Sequence, residues 1–68
     1  MNNWIPKKGD KVKINYEDGP VYGNVIWVEE PCEFHSGRFG VHIHERHYEV
    51  DREFWWRDIN NSVTYCKK

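Results

Sequence analysis

The sequence predicts an all-β protein: five short strands rolled into one small barrel. Three observations carry that prediction. Ala, Leu and Gln, all strong helix formers, are absent from the 68 residues. Seven Val, five Ile, one Thr and eleven aromatic residues make up 24 of the 68, and these types suit a pleated, half-buried surface. Turn-forming clusters recur every 8–12 residues or so along the chain, the spacing of a small barrel or sandwich. Helical bundles, coiled coils and two-domain enzymes are excluded. So are membrane-spanning helices, since no apolar run nears the roughly 20 residues a bilayer requires. A chain of about 60 residues buries only roughly 60 % of its unfolded surface, so the core must be dense and aromatic. Residues 1–8 read as an N-terminal arm, 9–66 as the barrel and 67–68 as a tail.

The first strand lies in Asp10-Lys11-Val12-Lys13-Ile14-Asn15-Tyr16, where strict alternation turns Val12, Ile14 and Tyr16 inward and the lysines to water. Glu17-Asp18-Gly19-Pro20 is turn chemistry. Val21 to Val28 follows, apolar on both faces over Val25-Ile26-Trp27-Val28, and so belongs at the centre of the sheet. Gly23 within it marks a bulge or a close backbone approach. Glu29 to Gly37 is a loop long enough to suggest function. Arg38 to His44 is the third strand, with Phe39, Val41 and Ile43 inward and Arg38, His42 and His44 outward. A turn at Glu45-Arg46 would set Ile43 against Tyr48, Val41 against Val50, His44 against His47 and His42 against Glu49. Phe54-Trp55-Trp56 either continues the fourth strand or winds into a single 3₁₀ turn near 53–58. Asn60-Asn61 breaks the chain before a last strand over Ser62 to Cys66. The expected core is Val12, Ile14, Val25, Trp27, Phe39, Val41, Ile43 and Val50.

Gly9-Asp10-Lys11-Val12-Lys13-Ile14 followed by Gly23-Asn24-Val25-Ile26-Trp27-Val28 resembles the first two strands of Src-homology-3-like (SH3-like) small barrels. KOW modules and CAP-Gly domains share this outline of a Gly-Asp start and a Gly-x-Val second strand. Phe34-His35-Ser36-Gly37-Arg38-Phe39-Gly40-Val41 is also similar to the CAP-Gly approach to its third strand. The resemblance spans residues 9–41 and implies an SH3-like barrel. The Gly-Lys-Asn-Asp-Gly loop with which CAP-Gly domains grip acidic tails has no counterpart here, so no binding residue is carried over.

Charge is segregated along the chain. Lys7, Lys8, Lys11 and Lys13 face a single Asp10 in residues 1–16, whereas Glu17, Asp18, Glu29, Glu30 and Glu33 have no positive partner in residues 17–34. Two faces of opposite sign can orient a partner. The opening Met-Asn-Asn-Trp-Ile-Pro has no basic segment leading an apolar one, so no secretory signal is expected. The expected compartment is the reducing cytoplasm, and Cys32 and Cys66 are expected as free thiols.

His42, His44 and His47 share the outer face in the expected register and are the candidate metal ligands, with Cys32-x-x-His35 a second grouping. Set against a metal is the ordinary role of histidines on the wet face of a sheet, and no cofactor is expected. Catalysis has less to stand on. Cys32 and His35 sit among Glu29, Glu30 and Glu33, which raise a thiol pKa, and a chain this small lacks the surface to enclose a small-molecule substrate. The expectation is a protein that is not an enzyme.

Two binding functions are left. One is single-stranded nucleic-acid binding, with Trp4, Tyr16, Tyr22, Trp55 and Trp56 to stack bases and Lys7, Lys8, Lys11, Lys13, Lys67 and Lys68 to meet phosphates. A pI near 6.4 and the acidic run weigh against it. The other is protein recognition. If residues 53–57 are extended, Phe54 and Trp56 point one way, and Trp55 points the other with Glu53 and Arg57. An exposed tryptophan beside arginine is what protein interfaces favour. The sequence therefore predicts a non-catalytic module that binds another protein through Trp55, Arg57 and Glu53, with Glu29, Glu30 and Glu33 beside them. Its size and composition suit a phage or mobile-element product that modulates or inhibits a host protein.

Overall fold

The computed structural model describes residues 4–45 and 48–66. Five strands form one antiparallel sheet: β1 (Lys11–Tyr16), β2 (Gly19–Glu29), β3 (Arg38–Glu45), β4 (Tyr48–Trp55) and β5 (Val63–Tyr65). A 3₁₀ turn, Trp56–Asp58, links β4 to β5. The strand order is β4-β3-β2-β1-β5, so β2 is central as its two-sided apolar pattern requires. The sheet is curled but not closed into the barrel expected from the sequence, because β4 and β5 remain its two edges. Its eleven-residue middle strand serves both halves, pairing with β1 over residues 19–24 and with β3 over 23–29.

Inside the curl lie Val12, Ile14, Val25, Phe39, Val41, Ile43 and Val63, all fully or almost fully buried. Each such side chain contributes about 1.5–3 kcal/mol relative to leaving it in water. Trp4, Val21, Val28, Val50, Phe54, Trp56 and Ile59 pack around them. From the N-terminal arm, Trp4 packs against the core. Trp4 stands edge-on to Phe39 and stacks on Tyr65, and its indole N–H donates to Asp10 Oδ2 at 2.9 Å. The same carboxylate accepts the Lys7 backbone N–H at 3.0 Å.

Four expectations need correction. Trp27 is not a core residue. Ile26 and Trp27 together oppose Gly40 in a β-bulge, so the extra residue moves Trp27 to the outer face and gives its inner place to Val28. Tyr16 keeps the alternation of β1 but sits on the last rung before the Glu17-Asp18 turn, 42 % exposed. Val50 is half-buried against the core rather than within it. The β3–β4 register differs by two residues: Ile43 pairs with Val50, His42 with Asp51 and His44 with Glu49. The ladder is paired out to Glu45 and Tyr48, past the turn expected at Glu45-Arg46. A shift of two leaves every side chain on its own face, which is why the inner set survives. His47, like Arg46, Lys67 and Lys68, lies outside the described residues.

Gly23 is a close approach and not a bulge: a Cβ there would lie 2.5 Å from the His42 carbonyl oxygen. Phe54-Trp55-Trp56 combines both alternatives read from the sequence. The strand runs through Trp55, and the 3₁₀ turn then begins, capped by Asp58 Oδ2, which accepts the Trp55 backbone N–H at 2.9 Å.

Candidate functional site

The outer face of β2, β3 and β4 is built by alternation. From β3 it carries Arg38, Gly40, His42 and His44; from β4, Glu49, Asp51, Glu53 and Trp55. The bulge brings Trp27 and Glu29 of β2 to the same face. At one end an arginine and two tryptophans meet. Arg38 pairs directly with Trp55 across the β3–β4 ladder. Its guanidinium lies 5.9 Å from the centre of the Trp27 ring and 6.0 Å from that of Trp55. Its Nε donates to Glu29 Oε1 at 3.0 Å and its Nη1 to Glu53 Oε1 at 3.3 Å. Half-exposed ion pairs of this kind contribute at most about 1 kcal/mol, so their effect is mainly to fix where the guanidinium lies. Arg57 places a second cation 5.9 Å from the Trp55 ring. Each such contact is worth about 0.5–1 kcal/mol at an exposed site.

Trp55 is 45 % exposed on this face, while Phe54 and Trp56 turn to the core and pack on Phe39. The 30–37 loop rises beside it. A cleft of about 340 Å³ is lined by Pro31, Ser36, Gly37, Trp55, Trp56 and Arg57. A second hollow of about 190 Å³, lined by Glu29, His35, Ser36, Arg38 and Trp55, adjoins it, with Ser36 and Trp55 common to both. Gly37 is necessary to this wall, because a Cβ there would come within 2.7 Å of both Pro31 and Trp56. Its carbonyl accepts the Trp56 backbone N–H at 2.9 Å, tying the loop to the 3₁₀ turn. Beyond it, Cys32 and His35 exchange backbone hydrogen bonds and hold Phe34 out at the tip, 87 % exposed. His35 Nδ1 lies 3.2 Å from the Ser36 carbonyl oxygen. Cys32 and Cys66 are free thiols.

The sequence-derived residues fall into separate groups. Trp55, Arg57, Glu53 and Glu29 come together; Glu30 and Glu33 are exposed on the adjoining loop. The residues proposed for nucleic acid do not form one groove. Trp4 and Lys7 border a hollow with Ile5, Asp10 and Tyr65, whereas Lys11 and Lys13 stand on the outer face of β1, where Lys11 Nζ lies 5.9 Å from the Tyr22 ring. Lys8 is exposed in the turn before β1. Trp4 is already engaged with Tyr65, Phe39 and Asp10. Arg38, Trp27, Pro31 and Phe34 were assigned no binding role from the sequence. The signal available for Phe34 was an aromatic placed between Pro31 and Gly37 in a loop, where no core can claim it. Trp27 and Arg38 could be joined only through the bulge, which nothing in the β2 sequence itself announces.

At the other end of the face, His42 Nδ1 lies 2.6 Å from Asp51 Oδ1 and Nε2 lies 3.1 Å from Glu49 Oε1. The bond to Asp51 raises the His42 pKa above the ordinary 6.5; partial burial opposes it, and the bond to Glu49 adds to it. His44 Nδ1 is 3.1 Å from Glu49 Oε2. The residue opposite His44 in the ladder is Glu49, in the place the expected register gave to His47.

Fold and face together define a small five-stranded antiparallel all-β protein whose outer face sets Arg38 beside Trp27 and Trp55 among carboxylates. Comparison with protein-family models, with curated proteins and with solved structures gives no match. Among the described residues, no helix is long and apolar enough to cross a membrane.

Proposed function

We propose that this chain is a non-catalytic, SH3-like binding module that recognises another protein through the face centred on Trp55. The observation that carries the reading is the exposed Trp55 ring held beside Arg38 and Arg57, with a cleft at its edge. Tryptophan and arginine are the residues on which binding energy concentrates at protein interfaces, and the cleft offers a partner side chain somewhere to enter. Protein is favoured over nucleic acid by the charge around the ring. Arg38 is already bonded to Glu29 and Glu53, and Asp58 lies just beyond, so a phosphate approaching Trp55 meets more carboxylates than free cations. The exposed Phe34 extends the apolar contact along the acidic loop.

The test is capture from a bacterial lysate by the wild-type protein, Trp55→Ala and Lys11→Glu/Lys13→Glu, each with and without nuclease. A protein retained after nuclease and lost with Trp55→Ala supports the reading. Hot-spot truncation weakens binding by 2 kcal/mol or more, about 30-fold. Capture that nuclease abolishes, or that the lysine variant loses while Trp55→Ala keeps it, assigns the module to single-stranded nucleic acid instead.

A further inference from the structure

His42 and His44 are two residues apart on β3, so both project from the outer face, at the end away from Trp55. Glu49, opposite His44, reaches both rings: Oε1 lies 3.1 Å from His42 Nε2 and Oε2 lies 3.1 Å from His44 Nδ1. Asp51, opposite His42, takes its remaining nitrogen, Nδ1, at 2.6 Å.

We propose that His42, His44 and Glu49 bind Zn²⁺ or another borderline transition-metal dication, with Asp51 orienting His42. The donor set is right in kind, since two imidazoles and a carboxylate suit zinc and its neighbours rather than calcium or magnesium. It is also right in spacing. Donors about 2.0–2.2 Å from a tetrahedral ion lie roughly 3.3–3.6 Å apart, and Glu49 approaches His42 Nε2 with Oε1 and His44 Nδ1 with Oε2, each at 3.1 Å, close enough for a small shift to admit an ion. One donor atom from each of the three residues falls within 4.8 Å of the others. All three ligands sit on paired strands, so the ladder and not a loop fixes their separation.

The contacts of the ring point the same way: Asp51 Oδ1 stands against His42 Nδ1 and leaves Nε2 on the side of Glu49. With Nδ1–H given to Asp51, Nε2 is the free lone pair, which is the arrangement that aims a histidine at a metal. Glu49 and Asp51 together balance the charge of a dication. Three protein ligands leave a tetrahedral ion one position open for water or an outside donor. This site stands on its own observations and does not depend on the Trp55 reading.

The test is a calorimetric titration of untagged protein with ZnCl₂ at about pH 7.5, repeated in a Cys32→Ser/Cys66→Ser background that removes the thiols. One zinc per chain is expected in both, with a micromolar or tighter dissociation constant that weakens toward about pH 5.5 as protons compete for the ligands. Asp51→Asn should weaken binding by about 10–100-fold, and His44→Asn or Glu49→Gln should abolish it. Melting temperature should rise by on the order of 10 °C when zinc exceeds its dissociation constant a hundredfold. His44 is well exposed, so His44→Asn should melt like the wild type without zinc and separate lost binding from lost folding. Absence of saturable binding overturns the site. Stoichiometric binding that survives His44→Asn, or that disappears with the cysteines, also overturns it. Equal affinity in Asp51→Asn overturns the part given to Asp51.

Discussion

Gly40 lies in the middle of β3 on the outer face, and the indole of Trp27 lies flat against it. A Cβ at this position would stand 2.1 Å from Trp27 Nε1, 2.5 Å from Cε2 and 2.7 Å from Cδ1. Ordinary contact begins at 3.4 Å, so in Gly40→Ala the ring must recede by more than 1 Å or swing away. Either movement separates Trp27 from the Arg38 guanidinium and exposes the strand beneath. Overpacking of this kind costs about 1–3 kcal/mol. An opposing gain of about 0.4–1 kcal/mol comes from the smaller freedom of alanine in the unfolded chain, since the positive-φ glycines are Gly9 and Gly19 and not Gly40. The expected net loss is about 1–2 kcal/mol, which for a domain of this size lowers the melting temperature by roughly 4–16 °C. Urea unfolding followed by tryptophan fluorescence measures both the loss and the movement of the ring. The double-mutant cycle is decisive: with Trp27→Ala in place, Gly40→Ala should be neutral or stabilising, because nothing is left to displace. Equal destabilisation in both backgrounds would refute the assignment of Trp27 to the outer face over Gly40.

Val41→Ala removes two methyl groups from a fully buried position and should cost about 1–3 kcal/mol in chemical denaturation, with the fold retained. The His42 cluster predicts a pH dependence in metal-free protein. The pKa of His42 is raised on folding by Asp51 and Glu49, with His44 the other titratable group facing Glu49. The stabilisation is therefore complete below the unfolded value near 6.5 and is lost as pH rises through the higher folded one. With chelator present, His42→Asn should lower the melting temperature at about pH 5.5 and have less effect at about pH 8.5. A larger effect at the alkaline end would contradict the direction of the shift.

Strands were legible in the sequence because alternation is a local property: Val12 and Ile14, or Phe39, Val41 and Ile43, declare their face without reference to partners. What depends on pairing was less legible. The β3–β4 register turns on where the chain reverses, and Glu45-Arg46 lacks the glycine or asparagine that would fix a tight turn. The resulting two-residue difference left each side chain on its own face but set Glu49 opposite His44, in the place the expected register gave to His47. The bulge at Ile26-Trp27 had a signal only on the opposite strand, where Gly40 interrupts an apolar run to make room for an indole. Trp55 was legible for a steric reason, since adjacent strand positions cannot enter one core. Its arginine neighbours were only half so: Arg57 is close in sequence, but Arg38 is seventeen residues away and arrives through the β3–β4 ladder.

The measurement that bears most directly on the central claim follows the indole N–H signals of Trp4, Trp27, Trp55 and Trp56 in isotope-labelled protein as a purified, captured protein partner is added. The Trp55 signal should shift or broaden in proportion to occupancy, and the Trp4 signal, bonded to Asp10, should stay in place. Movement of Trp4 together with the backbone of Lys7, Lys11 and Lys13, with Trp55 unmoved, would contradict the account and move the binding surface to the basic N-terminal side of the sheet.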